Sequence, residues 1–469
     1  MATSTAIVRT DPDVIALAEA VQGQVFLVDD PGYAEACATY NLLTPLSPVL
    51  AVAASGPADV QAAVRFATGR GLGVAVRNGG HQVVRPTEDT VLVNLSAMSG
   101  VTVDPTARTV RIEGGALWGD VIEAAAKHDL APLNGSSPTV GAIGYCLGGG
   151  HGPVLSRKYG YAAEHVTSMD VVLASGVTQR VTAASDPRLF FALRGGKGNF
   201  AVVTAVEMAL FPVARFYGGG LWFPGEQLAD VLRTWQPWCE QLPDEFSTSV
   251  AIQRLPDDEM LPPPLRGAFV VHVRLAHLGD AAEGEAMLAP LRALGPTVLD
   301  TVADTPYREV AAVHSDPPLP LPYVDRSSGL RELSAEAIDR LVELTGPGSD
   351  CPLVSVEIRR LGGAMDREPR IPDAVPSRGL PYQLFAFGVG GPDQADELRA
   401  SLAGLIDGMS PWAHKATMLN FLSPDEATVP EEVLGVYGVE LYARLAALKS
   451  AYDPLNVFRA NYNIVPLVA

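Results

Sequence analysis

Positive charge, cysteine and long apolar runs are all scarce in this chain. Lys and Arg together number 34 against 53 Asp and Glu, a formal net charge of -19 over 469 residues. Such a surface repels a nucleic acid instead of steering it in, so a polyanionic partner is excluded and a small-molecule ligand is expected. Only four cysteines occur, Cys37, Cys146, Cys239 and Cys351. Their wide separation gives neither a disulfide framework nor the paired spacing of a metal site. No stretch of about 18 uncharged apolar residues is available to span a bilayer. The first residues, MATSTAIVRTDPDV, lack a basic start followed by an apolar run. A secretory signal is therefore not expected, and the cytoplasm is the expected compartment. The prevalence of Ala, Gly, Pro, Val and Arg fits a GC-rich bacterial source.

What is abundant is apolar surface, at 48% of residues, on a chain long enough for two packed domains. PVLAVAA from residue 48 reads as a buried strand, and ADVQAAVRFATGRG places Val60, Val64 and Ala67 on one helical face with a stop at Gly71. GVAVRNGG, TVLVNL, VTVDP and TVRIEGG read as further strands, with LWGDVIEAAAKHDL as a helix. MDVVLASG and FAVVTAVEMALFPV carry the pattern to about residue 214. Prolines then interrupt strands such as GAFVVHVRLA, PLVSVEIRRLGG and PYQLFAFGVG, and a helix is expected at ELYARLAALKSAYDP. The expected class is α+β: a first domain over residues 1–214, a second with an antiparallel sheet flanked by helices over 215–450, and a return to the first over 451–469.

Three glycine-rich turns stand out. Arg77-Asn78-Gly79-Gly80-His81 follows a strand and frees backbone N–H groups to line an anion such as a diphosphate. Residues 131–152, APLNGSSPTVGAIGYCLGGGHG, are too rich in glycine for a regular core element, so their backbone is expected to approach a ligand closely. Gly195-Gly196-Lys197-Gly198-Asn199-Phe200 precedes a strand. Taken singly, each turn is more often structural than ligand-binding. A P-loop is excluded because Lys197 is followed by Gly198 and not by Ser or Thr, and Gly144 to Gly152 lacks the dinucleotide-binding spacing.

In combination, the order of these turns resembles a known family. V-R-N-G-G-H, then P-T-V-G-A-I-G-Y-C-L-G-G-G-H-G-P-V-L-S-R-K-Y-G, then D-P-R-L-F-F-A-L-R-G-G-K-G-N-F-A-V-V-T, and finally Y-D-P-L-N-V-F-R-A-N-Y-N-I-V-P are similar to the vanillyl-alcohol oxidase and p-cresol methylhydroxylase superfamily. Within it the berberine-bridge-enzyme-like oxidoreductases are nearest in pattern. The resemblance is strong over residues 45–214 and the last thirty, and loose between.

It implies a two-part FAD-binding domain with the flavin bonded covalently through His81 alone. Some members add a link from a cysteine before the Pro-Thr-Val-Gly run, and here Ser137 stands at that position. Cys146 lies nine residues on and is expected either to approach the ring or to be a small buried thiol. By the same resemblance Arg77, Asn78, Gly79, Gly80 and Gln82 line the diphosphate. Ser137, Gly141, Gly144, Tyr145, Gly148, Gly149, Gly150 and Gly152 flank the flavin, with His151 as packing. Gly198, Asn199 and Val203 lie toward the adenosine, and Asn461 and Asn463 close over the ring.

For the proton-accepting group the resemblance points to Tyr437, with Tyr462 second; either is alternatively an aromatic of the domain seam. Val354, Glu357 and Arg359, or Gln383 and Phe385, alternate along strands and are candidates to face the substrate. The implied activity is an oxidase that moves a hydride from an alcohol or similar group of a small organic substrate to flavin N5, with O2 reduced to H2O2. A dehydrogenase passing electrons to another carrier, or a flavin-bound protein without turnover, are the alternatives. No nucleic-acid or membrane partner is expected.

Overall fold

The structure, a computed structural model, describes residues 7–82 and 87–467. Its first sheet comprises β1 (Gln24–Leu27), β2 (Leu50–Ala53), β3 (Gly73–Arg77) and β4 (Thr90–Asn94) in the order β1-β2-β4-β3. The strands β2, β4 and β3 run parallel, so a helix must cross over between them, and Pro57–Gly69 does so. Pro57 opens that helix where a missing N–H is tolerated. Val60, Ala63, Val64 and Ala67 are fully buried against the sheet, as the 3.6-residue spacing predicts, and Gly71 at φ 69° ends the turn.

A second sheet is antiparallel throughout, in the order β5-β6-β9-β7-β8. Its strands are β5 (Val101–Asp104), β6 (Thr109–Glu113), β7 (Val166–Val172), β8 (Thr178–Val181) and β9 (Val202–Ala209). Between β6 and β7 lies the glycine-rich stretch. Contrary to the sequence expectation it does contain a regular core element, the buried helix Ala142–Leu147. That helix is bounded by Gly141 and Gly148 and carries Gly144 within it, and it is held by Ala142, Ile143, Tyr145, Cys146 and Leu147 packing inward.

The third sheet has eight antiparallel strands. They are β10 (Arg215–Pro224), β11 (Phe246–Arg254), β12 (Phe269–His277), β13 (Leu299–Asp300), β14 (Ala303–Pro306), β15 (Tyr323–Leu330), β16 (Ser355–Arg360) and β17 (Tyr382–Val389). The order is β13-β10-β12-β11-β16-β17-β15, with β14 also on β10. Alternation separates its two faces. Val250, Ile252, Val271, Val273, Val356, Ile358, Leu384 and Ala386 share one core with the helices Leu228–Glu240, Ala335–Thr345 and Ala395–Met409. The opposite face, carrying Ser249, Arg274, Glu357, Arg359 and Phe385, looks toward the first domain.

Packing against the first 214 residues begins ahead of residue 451. Helices Pro430–Tyr437 and Val439–Tyr452 bury Val433, Leu445, Ala446 and Leu448 in the same cluster as Phe190, Phe191 and Phe200. Arg444 stacks its guanidinium 3.5 Å from the Phe191 ring centroid. The segment beyond is tied down by one fully buried ion pair. The Lys449 Nζ donates to Asp453 at 2.7 Å, to the Asn199 carbonyl at 2.6 Å and to the Phe458 carbonyl at 2.9 Å. Asp453 also accepts from the N–H groups of Val457 and Phe458 at 2.8 and 2.9 Å. Among the described residues no helix is long and apolar enough to cross a membrane.

Removing one member of a buried ion pair strands the other charge. Asp453→Ala is therefore expected to lower unfolding stability by about 3–5 kcal/mol, read as a lower urea midpoint; an unchanged midpoint would show that the pair does not hold the C-terminal segment.

Candidate active site

A cavity of ≈ 400 Å³ lies between the turns of the first domain and the charged face of the third sheet. Its first wall is the turn after β3. Gly79 packs so tightly that an added Cβ would lie 2.8 Å from the Thr139 carbonyl, and Gly80 sits at φ 69° with its Cβ position 3.0 Å from Thr39 Cα. Two side chains are excluded there for different reasons, space at Gly79 and backbone conformation at Gly80. The turn is thus clamped, and it presents His81 to the cavity. Tyr40 stacks on the imidazole at 3.8 Å with 16° between planes. Thr139 Oγ1 meets Nε2 at 2.8 Å and Ser137 Oγ meets Thr139 Oγ1 at 2.9 Å. Burial lowers the His81 pKa to about 4 against the raising influence of Asp316 and Thr139, so the ring is neutral near pH 7.

The flanking polar groups are only partly satisfied. Asn78 donates from Nδ2 to the Ala116 carbonyl at 3.1 Å while its buried Oδ1 has no partner among the described residues. Gln82 donates to the Leu419 and Leu422 carbonyls at 2.9 and 3.0 Å, and its buried Oε1 has no partner among the described residues. Buried acceptors without donors beside a glycine cradle suit a ligand that brings hydrogen-bond donors, as a flavin ring and ribityl chain do. Arg77 also lines the cavity and donates from Nε to the Ala38 carbonyl at 2.7 Å.

The glycine-rich segment contributes unevenly. Ser137, Gly141, Gly144, Tyr145 and His151 line the cavity. Gly144 has nothing within 4 Å of its Cβ position, whereas at Gly141 that position lies 2.6 Å from Asn78 Nδ2. Gly148, Gly149, Gly150 and Gly152, expected beside the flavin, instead pack against protein. An added Cβ would meet Asn420 at Gly148, Val375 at Gly149, Tyr145 at Gly150 and Leu133 at Gly152. Cys146 is likewise turned away into the core, where burial pushes its thiol up to about 12. Of the third turn and the C-terminus, Gly198, Val203 and Asn461 line the cavity. Asn199 does not; its side chain clamps the C-terminal segment by donating to the Tyr462 carbonyl at 3.0 Å and accepting from Ile464 N–H at 2.9 Å. Asn463 is also away from the cavity surface, its Oδ1 buried without a partner among the described residues.

Neither tyrosine expected as proton acceptor reaches the cavity. Tyr437 is enclosed in the first-domain core and donates to the Gly195 carbonyl at 2.9 Å, with burial raising its pKa further out of reach. Helical geometry is the reason: residue 437 ends Pro430–Tyr437 on the inward face beside Val433. Tyr462 is buried as well, donates to the Leu422 carbonyl at 2.6 Å and accepts from Gln82 Nε2 at 3.1 Å. It positions Gln82, the neighbour of His81.

Sheet residues supply the titratable groups instead. Glu357, Arg359 and Phe385 line the cavity, while Val354 and Gln383 do not. Burial raises the Glu357 pKa, but Arg359 and Arg274 outweigh it and hold the carboxyl well below the usual range. Asp325 on β15 is raised by burial to about 6, opposed by a hydrogen bond from Ser423 Oγ at 2.5 Å. Lys197, with φ 52°, donates from Nζ to Asn420 Oδ1, and burial lowers its pKa to about 7. In the sequence Lys197 stands out as part of the third glycine turn and as the residue that excludes a P-loop, and Asp325 does not stand out at all. Their signal is burial, which the strand pattern DRSSGL and a glycine turn do not reveal.

Comparison with known proteins agrees with this geometry. Residues 48–182 match a family model described as FAD binding domain, and residues 419–465 one described as berberine and berberine like. The chain is 31% identical over 468 residues to (R)-6-hydroxynicotine oxidase of Paenarthrobacter nicotinovorans, covering 95% of this chain and 97% of that protein. An FAD-linked oxidoreductase of Dictyostelium discoideum is 26% identical over 459 residues, 96% of each. The crystal structure of 6-hydroxy-D-nicotine oxidase from Arthrobacter nicotinovorans superposes with a TM-score of 0.80 at 28% identity, over 95% of this chain and 98% of that one. Xylooligosaccharide oxidase of Myceliophthora thermophila shares the fold, with a TM-score of 0.83 at 22% identity over 97% and 100% of the two chains.

Because the Tyr437 hydroxyl serves only the Gly195 carbonyl, Tyr437→Phe is expected to lower stability by about 1–3 kcal/mol and to leave kcat within two-fold. A fall in kcat beyond about 100-fold at unchanged flavin content would return Tyr437 to the catalytic machinery.

Proposed function

The chain belongs to the FAD-linked oxidoreductases of the berberine-bridge-enzyme-like family, and from that premise we propose that it is an oxidase of a small organic alcohol with FAD bonded covalently through His81. One observation carries the reading. A neutral imidazole, held by Thr139 and stacked on Tyr40, opens onto the same cavity as a buried carboxyl whose pKa is raised.

Bound among these residues, FAD would supply a hydride acceptor for the substrate carbon and a route for the electrons to dioxygen, giving hydrogen peroxide. The residues do the rest. With Nε2 engaged by Thr139, His81 presents Nδ1 as the nitrogen for a link, and its low pKa keeps it unprotonated and nucleophilic. The turn of Arg77 to Gln82 holds the diphosphate through backbone N–H groups, which repel no anion and need no side-chain charge. Gly198, Val203 and Asn461 enclose the far end of the cofactor. Asp325 takes the hydroxyl proton: above about pH 6 its carboxylate is free to accept, and Ser423 fixes its orientation. Phe385, Phe387 and Phe421 form an apolar wall suited to a conjugated or aromatic substrate of the kind found among natural products. The similarity to a hydroxynicotine oxidase supports a substrate of that size.

Acid precipitation tests the link. Yellow colour is expected to stay with the original polypeptide and to wash out of His81→Ala; colour retained in both, or in neither, would refute the linkage. Peroxide formed in step with substrate consumption is expected, and turnover that needs an added electron acceptor would assign a dehydrogenase. For the proton acceptor, Asp325→Asn is expected to lower kcat by about 10²–10⁴ at full flavin content, while the unaltered enzyme gains activity as pH rises through about 6. A flat profile there would exclude Asp325.

A further inference from the structure

The inner end of the cavity carries more positive charge than its single carboxylate balances. Arg274 Nη1 lies 2.8 Å from Glu357 Oε1, and Arg359 Nε and Nη2 each lie 2.9 Å from Oε2. Ser249 Oγ donates to Oε1 at 2.7 Å. The histidines gathered there, His151, His272 and His314, are all pushed below their ordinary range by burial and do not add charge near pH 7. Two guanidiniums thus share one carboxylate.

The two arginines differ in what remains unused. Arg274 is consumed: Nε donates to His272 Nδ1 at 3.2 Å and Nη2 to the His314 carbonyl at 3.3 Å, besides its bond to Glu357. Arg359 spends Nε and Nη2 on Glu357, and its Nη1 has no acceptor among the described residues. Arg359 is only 6% exposed yet lines the cavity. Its Nη1 is therefore free to donate to an acceptor that a ligand brings into the cavity. Asp325 does not fill that role. By strand register it is two strands across and four residues along from Arg359, on the order of 15 Å between α-carbons. Lys197 also lines the cavity, with burial lowering its pKa to about 7.

Aromatic surface adjoins this edge. The Arg359 guanidinium lies 4.8 Å from the Phe421 ring centroid, and Phe421 meets Phe385 edge-on at 5.2 Å and 66°. We infer that the substrate carries an anionic oxygen group next to an aromatic ring, an aromatic carboxylate being the type, and that this group docks on Nη1 of Arg359 while the ring packs on Phe385 and Phe421. The inference rests on the oxidase reading above and names the substrate class for the same site.

Calorimetric titration of the purified yellow protein with benzoate, and with benzamide as a neutral molecule of the same shape, tests it. Benzoate is expected to bind at least about ten-fold more tightly, as one charge-assisted contact supplies. In Arg359→Gln that preference should fall to near unity, and in Arg359→Lys, which keeps the charge, most of it should return. Equal binding of the two probes by the unaltered protein overturns the inference without needing any variant to fold. So does an undiminished preference in Arg359→Gln, or loss of flavin from that variant alone, which would assign Arg359 to the cofactor. A colourless unaltered protein would sink the oxidase reading, and the same two titrations would still decide whether Arg359 selects an anion.

Discussion

The buried Lys449 to Asp453 pair is the contact on which the cavity's geometry rests. It fixes three backbone segments at once: the turn at Asn199, the bend at Val457 and Phe458, and the end of the last helix. From there a chain of hydrogen bonds runs to the site. Asn199 holds Tyr462 and Ile464, Tyr462 accepts from Gln82, and Gln82 is adjacent to His81. Burying two charges is unfavourable in itself. Here every hydrogen-bonding position of the ammonium is filled, and the carboxylate takes two backbone donors besides, which offsets the desolvation. Burial still lowers the Lys449 pKa to about 8, against the pull of Asp453.

A second constraint is the alternation of the large sheet. With helices on one side and the cavity on the other, a shift of one residue in β16 would exchange Val356 and Ile358 for Glu357 and Arg359. The register is therefore strongly enforced. Charge is tolerated on the inner face because the groups come in complementary sets, with Glu357 receiving donors from three different strands, β11, β12 and its own. The low-dielectric setting that makes these bonds strong also moves Asp325 and Lys197 toward neutral pKa values.

Much of this was legible in the sequence, for identifiable reasons. Two adjacent glycines before a histidine leave few conformations, so the turn at residues 77–82 could be read directly. The crossover helix Pro57–Gly69 announced itself by its spacing and its stop. What could not be read was set by contacts between distant segments. Tyr437 faces inward because its helix buries Val433 and Tyr437 in the same core that holds Phe191 and Phe200, a packing that no local pattern encodes. Gly148 to Gly152 look like a ligand cradle in one dimension, but they make room for Asn420, Val375 and Tyr145. The meeting of Arg274, Glu357 and Arg359 depends on strand order, with β11 between β12 and β16, and sequence order does not give that.

The cavity draws its lining from Tyr40 through Asn461, with contributions from all three sheets and from the last helical segment's exit. A chain leaving the ribosome amino end first can lay down the small sheets and the turn bearing His81 long before the site has its second wall or its lid. The cradle is therefore complete only once residue 461 is in place, and the acceptors of Asn78 and Gln82 lie on a wall that is made long before its lid.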